Sequence, residues 1–201
     1  DDPRRGRHLG RDRGRWRGFG LTYLRPDKHS AWSSLREEYV EYTFLGDLCR
    51  EFWRRDLPVD VLRAHTDQGG FDVVLEAGPL QRHVQIKSSF VGSTTREQKI
   101  NLKLEQKVGG CVVWVLFDRE TLAINHFRWF GDKDPTAVTR SLGDRIAKHT
   151  KANSKGVKSV RPGIRTLVWR DFDRVETTAE LASLLFPNDS LAPEPTEDPT
   201  K

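Results

Sequence analysis

The sequence predicts a single α/β domain in which helices flank a mixed β-sheet. Its 201 residues are enough for one domain with a sizeable core. Helical and strand-like apolar patterns follow one another along the chain, which favours a layered packing of helices on a sheet. In addition, residues 111–118 (CVVWVLFD) are almost continuously apolar, as is typical of a strand that is covered on both faces.

The first half of the chain predicts a long helix, three strands and a second helix. The long helix is expected at 35–55, because apolar residues recur there at steps of three and four. A strand is expected at 59–65, and a β-hairpin at 69–89 around the turn-like Gly78-Pro79. The second helix is expected at 94–110. The apolar stripe of the long helix consists of Leu35, Tyr42, Leu45, Cys49 and Phe52, and Glu38 lies on the same stripe.

The second half predicts strands that alternate with helices. After the apolar strand at 111–118, a further strand is expected at 122–130. A helix is expected to start on Pro135 and to extend to residue 151, since proline is well tolerated at the first helical position. A strand at 164–172 and a closing helix at 178–186 complete the domain.

The charge distribution divides the chain into a balanced body and two basic regions. Residues 1–28 hold nine Lys or Arg against four Asp and form an Arg/Gly-rich arm that is expected to be disordered. The domain is expected at 29–187, and within it residues 140–170 carry nine basic side chains against Asp144 alone. Residues 188–201 are an acidic, Pro-rich tail. Two basic regions on an otherwise balanced chain indicate a polyanion as partner.

Several classes of protein are disfavoured. No apolar stretch approaches the roughly 18 residues of a membrane span, and no secretory signal peptide is expected. Cys49 and Cys111 stand far apart inside apolar runs, which predicts buried reduced thiols and a cytoplasmic protein. The sequence has no nucleophile elbow, no phosphate-binding Walker loop, no dinucleotide fingerprint and no zinc-type spacing. Few enzyme classes therefore compete with metal-assisted hydrolysis.

The hairpin at 69–89 carries an acid, an amide and a lysine that can share one face. If its strands pair around Gly78-Pro79, alternation places Asp72 near Gln85 and Lys87. Carboxylate and amide oxygens are hard donors that suit Mg²⁺, and a neighbouring lysine can orient water or stabilise charge on a phosphate. The alternative is a solvated hairpin whose acid and lysine form a weak ion pair, worth about 0.5 kcal/mol.

The pattern of these residues resembles a known family of nucleases. Asp72 is followed after twelve residues by Gln85-x-Lys87, and an upstream helix bears Glu38 and Glu41. This arrangement resembles the PD-(D/E)xK nuclease superfamily, and most of all the branch, seen in Mrr-type restriction enzymes, in which Gln replaces the second acid. The segments GGFDVVLE and HVQIKSS are similar to the two core strands of that branch.

The order of the expected elements is also similar to that superfamily. Residues 35–118 read as αβββαβ, so the resemblance implies a restriction-endonuclease-like core with a mixed central sheet flanked by helices. Residues 119–187 would form a C-terminal strand-helix-strand-helix extension, for which the resemblance does not account.

The resemblance assigns a role to each residue of the motif. It implies that Asp72 and Gln85 ligate Mg²⁺ (or Mn²⁺), with Gln85 in the position of the second acid. Lys87 would be the catalytic lysine. A helix glutamate would complete the site: Glu38 fits the inward stripe, and Glu41 lies one turn further on and remains a candidate.

The implied function is metal-dependent endonucleolytic cleavage of DNA. Cleavage of both strands would favour a two-fold homodimer. The loss of the second carboxylate keeps an alternative open, namely a catalytically inactive nucleic-acid-binding module on the same fold. A protein-interaction domain is a further alternative, and it predicts no salt-sensitive affinity for DNA.

The basic segment around residue 150 predicts a contact with the nucleic-acid backbone. In the expected helix, Lys148, Lys151 and Lys155 would share one face. Such a cluster positions phosphates without specifying base sequence. The alternative is a solvated basic helix that ends in a turn. The full set of candidate backbone contacts is Lys148, His149, Lys151, Asn153, Lys155, Lys158 and Arg161.

Overall fold

The computed structural model describes residues 28–65, 69–149 and 158–187. The chain divides into two compact units, Asp1–Ser33 and Ser34–Lys201. In the first unit, the described part contains the short helix α1 (Lys28–Ala31). The second unit is a mixed α/β fold, as predicted. The basic arm up to residue 27 and the acidic tail at 188–201 lie outside the described residues.

The central sheet of the second unit has six strands in mixed orientation. Its third and fourth members in space, β3 (Leu80–Phe90) and β5 (Gly110–Phe117), are parallel, and all other neighbours are antiparallel. The predicted mixed sheet is thereby confirmed. In spatial order the strands are β1 (Asp60–Arg63), β2 (Val73–Ala77), β3 (Leu80–Phe90), β5 (Gly110–Phe117), β6 (Ile124–Gly131) and β9 (Asp173–Val175).

Two helices share a hydrophobic core with one face of this sheet. The long helix α2 (Ser33–Arg54) and the closing helix α3 (Thr178–Leu185) were both predicted, and Thr177 caps α3 by accepting a hydrogen bond from the Glu180 amide at 3.1 Å. Alternate residues of the strands complete the core, because every second side chain of a strand points to the same face. This first core includes Val40, Phe44, Leu48, Val73, Leu75, Val84, Leu181 and Leu185.

The buried stripe of α2 differs from the predicted one. Of the predicted stripe, Leu45 and Phe52 are buried, whereas Leu35, Tyr42 and Cys49 are exposed. Two apolar stripes run along this helix at nearly the same period, so periodicity alone does not select between them. The sheet packs against the stripe that contains the remaining buried residues, Val40, Phe44 and Leu48.

The two cysteines differ in burial for the same reason. Cys49 was expected to be buried and is exposed, because it lies at the margin of the predicted stripe, outside the part of α2 that packs against the sheet. Cys111 is buried in β5, as predicted, and desolvation raises the pKa of its thiol to about 11. All eight residues of β5 are buried, which confirms the prediction of a strand covered on both faces.

A second sheet shares a core with the other face of the central sheet. Its three antiparallel strands are β4 (Glu97–Asn101), β8 (Val160–Val168) and β7 (Ile146–Lys148), in that spatial order. This second core forms around Trp114 of β5, whose indole packs edge-on against Trp169 and Phe172. Its other members include Ile100, Leu104, Val112, Leu116, Phe130 and Leu167.

The helix predicted at 94–110 is wrong. Residues 97–101 form β4, which pairs with β8, and a 3₁₀-helix follows at Leu102–Gln106. The Asn101 side chain caps this 3₁₀-helix by accepting a hydrogen bond from the Lys103 amide at 3.1 Å. Hydrogen bonding to β8 and complete burial of Ile100 outweigh the local helical propensity, so tertiary pairing decides this segment.

The helix predicted at 135–151 is also wrong, and the extension is therefore not strand-helix-strand-helix. The Asp134 carboxylate accepts hydrogen bonds from the amide and the hydroxyl of Thr136, and Gly143 has a φ of 70°. Such side-chain bonds and a left-handed glycine compete with helix formation. The segment instead forms irregular turns that end in β7.

Among the described residues, no helix is both long and apolar enough to cross a membrane.

Candidate active site

The hairpin holds Asp72 against an open edge of β3. The chain reverses at Gly78-Pro79 as predicted, and the pair of Val73 and Val84 is the last at the open end. Asp72 directly precedes β2, and its Oδ2 accepts a hydrogen bond from the Ile86 amide at 2.6 Å. The carboxylate is therefore fixed on the backbone of β3, at the point where β3 extends beyond its partner strand.

A cleft of about 490 Å³ lies at this edge, and we refer to it as the acidic cleft. The structure brings Asp72, Lys87, Glu38 and Glu41 together in its lining, as the sequence predicted for these four residues. Four carboxylates face one ammonium group, so the cleft carries an excess of negative charge. The polar lining consists of Ser34, Glu37, Glu38, Glu41, Asp72, Lys87, Ser88 and Gln98.

The structure does not bring Gln85 into this lining. Gln85 is only 3% exposed, and its Oε1 accepts a hydrogen bond from the backbone amide of Asn101 at 3.3 Å. Its partner across the parallel pair, Val112, belongs to the second core. The amide of Gln85 therefore connects β3 to the start of the 3₁₀-helix that follows β4, on the face of the sheet that α2 does not cover.

Glu41 is a helix carboxylate that interacts electrostatically with Asp72. It is partly buried and forms an ion pair with Arg63 of β1 at 2.8 Å. Desolvation raises the pKa of the Glu41 carboxyl; the positive charge of Arg63 opposes this shift, whereas the negative charges of Asp72 and Glu38 reinforce it. Negative charge is thus concentrated at the point where α2 meets the hairpin.

Glu38 lies at the exposed rim of the same cleft, and not on a buried stripe. Its carboxylate accepts a hydrogen bond from the Tyr42 hydroxyl one turn further on, and this bond raises the pKa of Tyr42. The guanidinium of Arg63 lies over the Tyr42 ring, 4.8 Å from its centroid. Arg63 therefore contacts two neighbouring residues of α2, Glu41 and Tyr42.

Sequence reasoning missed five polar residues of this region, two of which, Ser34 and Glu37, lie on α2. Gln98 and Ser88 line the cleft, and Arg63 balances part of its charge. Gln98 was assigned to a helix, so its approach to the hairpin was not visible in the pattern. Alternation along β1 places Arg63 on one face of its strand, but the sequence pattern does not show that Glu41 and Tyr42 of α2 meet this side chain.

The donors of the acidic cleft suit a hard divalent cation in their chemistry, although they are not gathered into a finished metal site. Carboxylate oxygens are the preferred ligands of Mg²⁺ and Mn²⁺. Arg63 compensates only part of the negative charge of the cleft, and a divalent cation would neutralise more of it. Within the described ranges, however, no three His, Cys, Asp or Glu side chains converge closely enough to hold a metal ion. Gln85 does not belong to this donor set.

The predicted basic contacts lie elsewhere, on the three-stranded sheet. Lys148 ends β7, and the amide of His149 donates a hydrogen bond to the Ser159 carbonyl at 2.9 Å. Lys158 is exposed just before β8, and Arg161 is exposed near the start of that strand. The prediction that Lys148 lies on a helical face is wrong, because Lys148 belongs to a strand. Lys151, Asn153 and Lys155 lie outside the described residues.

No family model, no curated protein and no solved structure matches the chain. A function for this protein is therefore inferred from the geometry of the acidic cleft.

Proposed function

We propose that this protein is a metal-dependent endonuclease that hydrolyses phosphodiester bonds of DNA. The observation that carries the proposal is the convergence of Asp72, Lys87 and Glu41 in the acidic cleft. These residues come from the hairpin and from α2, and the resemblance to PD-(D/E)xK nucleases placed Asp72 and Lys87 in one site with a helix glutamate, either Glu38 or Glu41. A solvated hairpin would not require a helix carboxylate at the same position.

The fold supports a variant of the restriction-endonuclease-like core. The helix α2 and the strands β1, β2, β3 and β5 follow the expected order, and β3 and β5 are parallel as a crossover requires. Between β3 and β5, β4 and a 3₁₀-helix take the place of the expected crossover helix. The proposed core is therefore one whose second covering layer is a sheet.

The residues of the cleft have separable roles in this proposal. Asp72 and Glu41, with Glu38 at the rim, would hold Mg²⁺ or Mn²⁺, and the bound cation would supply Lewis-acid stabilisation of phosphate charge. The Lys87 ammonium would stabilise the negative charge that develops on the phosphoryl oxygens as water attacks. Without a cation, the excess of carboxylates would repel a phosphodiester.

The test is cleavage of labelled single-stranded and duplex DNA, and of RNA, with Mg²⁺ or Mn²⁺ and with EDTA. We expect cleavage of DNA that requires the metal and that is abolished in Lys87→Ala and in Asp72→Asn. Lys103→Ala is the matched control, since Lys103 is exposed and lies outside the cleft lining. If the wild-type chain cuts no substrate with either metal, or if Lys87→Ala cuts as fast as the control variant, the proposal is wrong.

Two observations favour a second candidate, a nucleic-acid-binding module without catalysis. The side-chain oxygen of Gln85 already accepts a hydrogen bond from the backbone amide of Asn101. In addition, the described carboxylates are not gathered into a finished metal site. A titration with Mn²⁺ separates the two candidates. Mn²⁺ binding that is weakened in Asp72→Asn agrees with the nuclease. A chain that has no affinity for Mn²⁺ but binds DNA in EDTA agrees with the module.

A further inference from the structure

A second cleft, of about 480 Å³, lies on the three-stranded sheet, and we refer to it as the basic cleft. Basic side chains from separate segments of the chain meet there: one comes from β4, two come from β7 and the turn before it, and others come from the ends of the connection between β7 and β8. A single acid faces them. The titratable lining consists of Lys99, Arg145, Lys148, His149, Lys158 and Glu97.

The positive charge of the basic cleft is only partly neutralised within the protein. Arg145 is paired with Asp171. The Lys99 ammonium donates a hydrogen bond to the backbone carbonyl of Lys148 at 3.3 Å, and a neutral carbonyl does not cancel its charge. In the part of the chain that the structure describes, neither Lys148 nor Lys158 forms an ion pair. A cleft with this balance of charge attracts an anion.

The strand β4 separates the basic cleft from the acidic cleft. Gln98 lines the acidic cleft, whereas its neighbours Glu97 and Lys99 line the basic cleft. Because successive side chains of a strand point to opposite faces, the two clefts lie on opposite faces of β4. Among the described strands, β4 is also an edge strand of its sheet, with β8 as its one neighbour. A chain-like ligand that passes over this edge would contact both clefts.

We propose that the basic cleft is a phosphate-binding subsite for the backbone of a nucleic acid. It would hold the chain beside the acidic cleft through ammonium–phosphate contacts, which position a nucleic acid without reading its bases. The structure adds Lys99 and Arg145 to the contacts that the sequence indicated. The inference rests on the proposed function, since its ligand is the polymer that the acidic cleft would cleave, but it concerns binding alone.

The experiment measures the affinity of the full chain for a labelled single-stranded oligonucleotide and for the corresponding duplex over a series of KCl concentrations. EDTA is present throughout, so that binding is observed without cleavage. The variant is Lys148→Ala/Lys158→Ala. The matched control is Lys103→Ala/Lys133→Ala, which removes the same charge from exposed positions outside both clefts.

We expect the cleft variant to bind more weakly and to show a smaller dependence of affinity on salt. For each phosphate that the variant no longer neutralises, the slope of log Kobs against log[salt] should become shallower by about 0.9 on duplex DNA and by about 0.7 on a single strand. The substrate on which the slope changes identifies whether the cleft receives duplex or single-stranded nucleic acid. Equal slopes for the cleft variant and the control on both substrates would overturn the inference.

The outcome is independent of catalysis. If the slope becomes shallower in EDTA but no substrate is cut with metal, the basic cleft remains a nucleic-acid site and the nuclease proposal fails. If Lys87 is required for metal-dependent cutting but the cleft variant binds like its control, the nuclease proposal stands and this inference fails.

Discussion

Arg82 is a buried cation whose removal should weaken the whole domain. It lies in β3 with 0% exposure, and its guanidinium donates hydrogen bonds to four backbone carbonyls. Two of these carbonyls, Leu184 and Leu185, belong to the end of α3, at 2.9 and 2.7 Å. The other two, Asp132 and Lys133, follow β6, and both distances are 2.8 Å. One side chain thus connects the central strand to two distant segments.

The expected cost of Arg82→Met follows from these four bonds. Hydrogen bonds to a charged group contribute about 1.5–3 kcal/mol each, which sets an upper limit well above the net effect. Part of that sum is offset because the folded state no longer has to desolvate a guanidinium, and this desolvation also lowers the pKa of Arg82. We therefore expect the free energy of unfolding to fall by about 3–5 kcal/mol.

Urea unfolding followed by circular dichroism measures this difference. Arg170→Met is the matched control, because Arg170 is exposed, and its cost should stay within about 0.5 kcal/mol. If Arg82→Met is too unstable to fold, Arg82→Lys serves instead, since an ammonium group keeps the charge but has only three donors at one point. A decrease below about 1 kcal/mol for Arg82→Met, with an unchanged m-value, would refute the reasoning.

Three further predictions concern the acidic cleft and its surroundings. The raised pKa of Glu41 contributes stability below the ordinary value of 4.5, and this contribution is lost as the pH rises through the folded value, so Glu41→Gln should reduce the decrease in the free energy of unfolding, measured with urea, as the pH rises above 4.5. Arg63→Ala should tighten Mn²⁺ binding by up to about fivefold in calorimetry, since a solvent-accessible ion pair such as that of Arg63 with the partly buried Glu41 is worth about 0.2–1 kcal/mol; unchanged or weaker binding would contradict competition between the two cations. Gln85→Leu should cost about 1 kcal/mol in unfolding free energy, because the Asn101 amide loses its acceptor, and should leave Mn²⁺ affinity unchanged. A weakened Mn²⁺ affinity would return Gln85 to the site.

The resemblance of the hairpin led to most of the acidic cleft but not to all of its geometry. Asp72, Lys87, Glu38 and Glu41 were named from the sequence, and they do line one cleft. Alternation placed Gln85 on the face of Lys87, yet alternation alone does not show which groups approach that face. The Asn101 amide reaches Gln85 only because residues 97–101 form a strand.

Local patterns were sufficient where sequence and packing favour the same structure. Four elements could be predicted because their apolar periodicity and their flanking turn or capping residues indicate one type of structure. They are the long helix, the hairpin with its Gly78-Pro79 turn, the apolar strand β5 and the closing helix α3. The mixed character of the central sheet also followed from the order of the elements.

The tertiary structure alone decided the second sheet and the clefts on either side of β4. Residues 97–101 and 146–148 have no strong strand pattern, and they become strands because β8 supplies the hydrogen-bond partners and the second core supplies the burial. Strand pairing joins residues that are tens of positions apart, so its free energy is not contained in any short window of sequence. For the same reason, only the folded chain shows that Gln98 and Lys99 face two different clefts.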